Sequence, residues 1–83
     1  MESQYAEKIR HIVVQHGRLA VPAERLAEDT DLYKAGLTSL ATVGLMLALE
    51  EQFNVEFTDD MLGRQTFGTI GSIAQAVAKL VPK

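Results

Sequence analysis

The sequence predicts an all-α fold: a four-helix bundle of three longer helices and one short one, with a long first loop. Three observations carry this. Apolar residues recur at spacings of three and four and give no convincing strand. Of the 83 residues 47% are hydrophobic and only 6% aromatic, so the core draws on Leu, Ile, Val, Met and Ala, a mixture that favours helices over a β-sandwich. The chain is also near the smallest size at which one core holds a fold. That points to a single domain over 1–83, and to binding or carrying ahead of catalysis in a deep cleft.

Tyr5, Ile9, Ile12, Val13 and His16 share one helical face, which predicts a first helix from Ser3 to His16. Ser3 is placed to cap its start, and Gly17 stands where a left-handed C-terminal residue is wanted. A long connection comes next, from Gly17 to Thr38, with Pro22 and the scattered apolar residues Leu19, Val21, Leu26, Leu32 and Tyr33. A loop this long in so small a domain is functional or pinned by its own apolar residues. Leu26 and Leu32 are expected to be buried, with a short helical turn near Pro22 to Leu26.

Gly36 breaks the chain, and Ser39 to Phe53 then reads as a helix with two apolar stripes. Thr42, Leu45, Met46, Leu49 and Phe53 form the longer, bulkier one, which is assigned to the core. Leu40, Val43 and Leu47 form the second, with Gly44 beside them. It is expected to be at least partly exposed and to serve as a docking patch; burial on both sides is the alternative. Beyond Asn54 to Glu56, Phe57 is expected to point inward. Thr58 can cap a brief helix that begins at Asp59 and Asp60 and ends near Gly63. Thr69 caps the last helix, whose face is Ile70, Ile73, Val77 and Leu80.

Much chemistry is excluded. With no cysteine, neither a disulfide nor a thiolate-bound metal can form. Phosphate-binding glycine motifs are absent. Asp29-Thr30-Asp31 opens like a calcium loop, but Lys34 and Leu40 fall where glycine and glutamate are required. His11 and His16, the only imidazoles, do not share a face as metal ligands would. No metal site and no catalytic residue is expected. The net charge is −3, and residues 24–60 hold nine acids against Arg25 and Lys34. An acidic middle repels nucleic acid and suits basic protein partners. The N-terminus lacks a signal-peptide pattern, and the apolar run Leu37 to Leu49 is too short to span a bilayer. A cytoplasmic protein, monomeric on its own and without membrane partners, is expected.

The segment Asp31-Leu32-Tyr33-Lys34-Ala35-Gly36-Leu37-Thr38-Ser39-Leu40, running into Ala-Thr-Val-Gly-Leu-Met-Leu-Ala-Leu-Glu-Glu-Gln-Phe, resembles the phosphopantetheine attachment region of acyl, peptidyl and aminoacyl carrier proteins. The resemblance extends over Val55 to Asp60 and Phe67 to Leu80. It implies that Ser39 takes a 4'-phosphopantetheine arm from coenzyme A through a separate phosphopantetheinyl transferase. Cargo would then ride on the arm's thiol as a thioester, and the carrier itself would catalyse nothing. Leu37, Thr38, Leu40, Val43, Gly44 and Leu47 would form the docking surface, with Glu50 and Glu51 as its charged rim.

Two departures bear on the cargo. Ser39 follows Thr38 where fatty-acid carriers usually have aspartate, and Ala41 and Gly44 stand where their recognition helix carries acids. The Gly-Leu-Thr-Ser-Leu form is most similar to stand-alone aminoacyl carrier proteins, which are loaded by ligases resembling class II aminoacyl-tRNA synthetases. A fatty-acyl, polyketide or D-alanyl carrier served by an acyl-loading enzyme is the alternative. A helical interaction module without a prosthetic group, in which Ser39 is only a helix cap, is the rival of another class.

Overall fold

A computed structural model describes residues 2–17 and 25–81, and the side chains of all of these except 2–4. Its elements are α1 (Glu2–His16), α2 (Ser39–Phe53), a 3-10 turn (Asp59–Met61), α3 (Arg64–Phe67) and α4 (Ile70–Leu80). Among the described residues there is no strand, and no helix is long and apolar enough to cross a membrane. α1 packs on both α4 and α2. Its inner face is Ala6, Ile9, Ile12 and Val13, all buried. Tyr5 is half-buried and meets Phe53 edge to face at 5.8 Å, while His16 is exposed. The helix begins one residue earlier than its spacing predicts, so Ser3 lies inside it rather than at its cap.

α2 and α4 divide their residues as their stripes predict. Leu45 and Leu49 are fully buried from α2, and Ile70, Ile73 and Val77 from α4. Ala74 and Ala76 are also buried, which lets α4 sit close to α1. Thr69 caps α4 by accepting from Ser72 N at 3.0 Å, and Ser72 Oγ returns the bond by accepting from Thr69 N at 3.1 Å. This reciprocal pair satisfies two amides that would otherwise lack partners. At the other end of α2, Asn54 takes the left-handed conformation (φ 54°, ψ 50°), which asparagine tolerates better than most residues. The chain then turns, and Phe57 is buried.

The stretch after Phe57 departs from expectation. Thr58 does not cap the following turn; its hydroxyl donates to the Asp60 carboxylate. That bond holds the Asp60 carboxyl below its ordinary range. The turn is 3-10 and ends at Met61, and a separate four-residue helix, Arg64–Phe67, comes after Gly63. Its anchor is Phe67, buried against Phe57 with ring centroids 5.4 Å apart.

The long first loop is pinned at several points. Leu26 and Leu32 are buried as expected; Leu19, Val21 and most of the turn expected over 22–26 lie outside the described residues. Arg10 Nε donates to Leu26 O at 3.0 Å, Gly71 N to Glu28 O at 2.8 Å and Leu32 N to Gly68 O at 2.7 Å. The loop is thus tied to α1, to α4 and to the corner between α3 and α4. Gly17 donates to Val13 O at 2.7 Å, extending the bonding of α1, and the glycine with positive φ among the described residues is Gly36, at 120°.

Two substitutions test this arrangement on the isolated protein. Leu32→Ala should lower unfolding stability in a denaturant titration by about 2–5 kcal/mol, because a fully buried side chain is removed from the loop anchor. Gly44→Ala should raise it by about 0.5–1 kcal/mol, since a Cβ there meets nothing within 4 Å and the helix interior gains a better former.

Candidate functional site

The segment leading into α2 is a sequence of local devices. Asp31 Oδ1 accepts from Tyr33 N at 3.0 Å and from Lys34 N at 3.2 Å, opening a tight turn as a short carboxylate can. Ala35 N donates to Asp31 O, Gly36 N to Tyr33 O and Leu37 N to Leu32 O. Gly36 completes the reversal in a conformation that other residues rarely adopt. The two apolar residues flanking the turn, Leu32 and Leu37, both enter the core.

Thr38 comes next, as the N-cap of α2. It has extended backbone geometry, and its Oγ1 accepts from Ala41 N at 3.1 Å. Thr42 reinforces the cap, with both its backbone N and its hydroxyl donating to Thr38 O, at 2.9 and 2.7 Å. Ser39 is therefore the first residue of the helix and not its cap. It is exposed, and no hydrogen bond ties its hydroxyl to a described residue. The division of work is physical. Threonine supplies the capping oxygen, and the next hydroxyl is left exposed, with no bond to a described residue.

Around Ser39 runs an open cleft of roughly 600 Å³, lined by the turn, the first turns of α2 and the Leu62–Arg64 corner. The Arg64 guanidinium lies over the Tyr33 ring, 4.3 Å from its centroid. Leu40 is 84% exposed, Val43 51% and Leu47 56%, and across the cleft Leu62 is 45% exposed. α2 is thus not buried on two sides. Its first turn carries no acid.

Two residues expected on the docking surface are elsewhere. Leu37 is only 4% exposed, because the Gly36 reversal turns it into the core as the second anchor of the turn. Glu50 is half-buried, and its Oε2 accepts from Phe57 N at 2.9 Å. Its carboxylate closes the loop after α2 and is not a free charged rim. Thr38, Gly44 and Glu51 are exposed, Gly44 and Glu51 bordering the groove between α2 and α1. Leu62 and the Tyr33–Arg64 stack were not foreseen. They come from separate short segments, the Asp31–Gly36 turn and the corner that opens α3, neither long enough to show periodicity, so no apolar spacing could have flagged them. Among the described residues no three His, Asp or Glu side chains gather as a metal site would need.

The class defined by fold and site is a small helical bundle that presents a free serine hydroxyl at the start of an apolar helix. Residues 8–77 match a family model described as a phosphopantetheine attachment site. An aminoacyl carrier protein of Agrobacterium fabrum is 45% identical over 69 residues, covering 83% of each chain. A chain in the crystal structure of an engineered Bradyrhizobium japonicum glycine:[carrier protein] ligase, complexed with carrier protein from Agrobacterium tumefaciens and AMP, superposes with a TM-score of 0.84 at 42% identity. That match covers 88% of this chain and 97% of the other. A solution structure from Agrobacterium tumefaciens matches at 0.72 and 42% identity over 89% of both chains. The chain belongs to the phosphopantetheine-attachment family, whose prosthetic group is 4'-phosphopantetheine.

The donor set around Ser39 fits that group. An accessible hydroxyl offers the ester oxygen, and with Ala41 N and Thr42 N bonded to Thr38 the Ser39 and Leu40 amides at the helix start are left to favour an anion. Thr38→Ala should cost about 0.5–2 kcal/mol in a denaturant titration. Ser39→Ala should stay within about 0.5 kcal/mol of wild type, since its hydroxyl holds nothing together. The reverse order of the two effects would place the cap on Ser39.

Proposed function

We propose that the chain carries an aminoacyl group as a thioester on a 4'-phosphopantetheine arm esterified to Ser39, loaded by a separate amino acid:carrier protein ligase. The observation that carries this reading is the exposed Ser39 hydroxyl, without a partner among the described residues, beside a capping Thr38. The bound arm supplies a thiol, which a chain without cysteine does not have. The protein's own contribution is presentation and recognition. A phosphopantetheinyl transferase is the partner that would install the arm from coenzyme A, and both partners point to the cytoplasm.

The aminoacyl cargo is supported by the likeness to an aminoacyl carrier protein and by the match to a structure that pairs a carrier protein with an engineered glycine:[carrier protein] ligase. The surface agrees. Leu40, Val43 and Leu47 are exposed, with Thr38, Gly44 and Glu51 around them. The first turn of α2 has no carboxylate with which to hold a partner that reads an acidic helix. A ligase that docks here grips aliphatic side chains, and one or two of them should dominate the affinity.

Incubation with coenzyme A and a broad-specificity transferase should add one arm to the mass of the wild type and none to Ser39→Ala. An unchanged wild-type mass would reduce the site to a helix start and favour a plain interaction module. On the loaded form, a glycine:carrier protein ligase with ATP should add an amino acid that hydroxylamine releases. Val43→Asp and Leu47→Asp should each lower kcat/KM for that loading by roughly tenfold or more, with the circular dichroism spectrum unchanged. Loss of helical signal in either variant would instead assign that side chain to the core.

A further inference from the structure

We infer that Arg64 is the intramolecular anchor for the phosphodiester of an arm on Ser39; the inference rests on the carrier reading above. Arg64 and Ser39 line the same cleft, together with Tyr33, Thr42, Val43 and Leu62. No carboxylate lines it, so the guanidinium is the one formal charge there among the described residues. In a chain of net charge −3, an acid-free cleft holding a single cation does not follow from composition.

The guanidinium is also held in place. It lies over the Tyr33 ring, 4.3 Å from the centroid, a cation–π attraction that needs no oxygen acceptor. The ion pair found among the described residues is Arg10 with Glu7, and no hydrogen bond from the Arg64 side chain to a described residue competes for its N–H donors. Tyr33 itself is positioned by the Asp31 turn, through the bond from its N to Asp31 Oδ1. The turn that presents Ser39 thereby also presents the ring on which the cation rests. A planar fork of donors matches two oxygens of a phosphodiester, which a lysine ammonium does as a point charge only. Tethering the first group of the arm at this spot leaves the remainder free to swing toward the Leu40, Val43 and Leu47 face.

The test uses the whole chain labelled with nitrogen-15, before and after arm attachment. Mass spectrometry of the wild type comes first; absence of the arm overturns the carrier reading and this inference together. With the arm on, the Arg64 Nε–Hε resonance should move downfield and exchange more slowly with water than in the unmodified protein. The phosphorus-31 resonance of the attached arm should differ between wild type and Arg64→Gln, with Arg64→Lys between them. An Nε–Hε resonance identical in the two forms, or a phosphorus resonance of Arg64→Gln that superimposes on wild type, would leave Arg64 a structural partner of Tyr33 alone and overturn the inference while the carrier reading stands. Should Arg64→Gln unfold, the wild-type comparison decides by itself.

Discussion

The burial of Leu32 and Leu37 on either side of one tight turn is the constraint on which the site depends. Both side chains sit in the common core with Ile9, Val13, Leu45 and Ile73, and full burial of a leucine is worth about 1.5–3 kcal/mol. Only Tyr33 to Gly36 separate the two anchors, so the chain between them must reverse sharply. Asp31 starts the reversal, Gly36 finishes it, and the bond from Leu32 N to Gly68 O ties it to the corner between α3 and α4. The chain beyond Leu37 therefore has a fixed origin and direction. Thr38 and Ser39 are the first two residues past the second anchor, and α2 leaves from there.

On the proposed reading, stability and function fall to adjacent residues instead of sharing one. A capping oxygen must point back at the helix amides, whereas a hydroxyl open to modification must point away. One side chain cannot do both. Thr38 takes the first role and Ser39 the second. α2 is divided in the same way, with Leu45 and Leu49 inward and Leu40, Val43 and Leu47 outward. Exposed aliphatic side chains grouped on one helix face are costly in solubility, and the docking partner proposed above would account for them.

The three longer helices were legible because each repeats an apolar face over several turns, enough to register a period. Ile9, Ile12 and Val13, then Leu45 and Leu49, then Ile70, Ile73 and Val77 all fall where that period places them. The exposed place of Ser39 at the start of α2 was legible, whereas its proposed role rests on the resemblance carried by its flanking residues, since a serine at a helix start reads by itself as a cap. The errors share a cause. Leu37 looked like part of the exposed stripe because it precedes Ser39, but its direction is decided by a reversal at Gly36 and not by helical phase. Glu50 looked like a surface charge, and its partner, Phe57 N, lies beyond a left-handed residue whose geometry no periodicity encodes. α3 is a single turn and shows no pattern at all.

The uncharged start of α2 has a kinetic meaning. Without a concentrated field to draw it in, a partner docking as proposed would meet this face by ordinary diffusion, in the range of about 10⁵–10⁶ M⁻¹s⁻¹ typical of unsteered encounters. Discrimination among rival carriers then rests on how long each complex survives, because related interfaces differ chiefly in their dissociation rates. Ionic strength would have little hold on such a choice; the fit of three aliphatic side chains would make it.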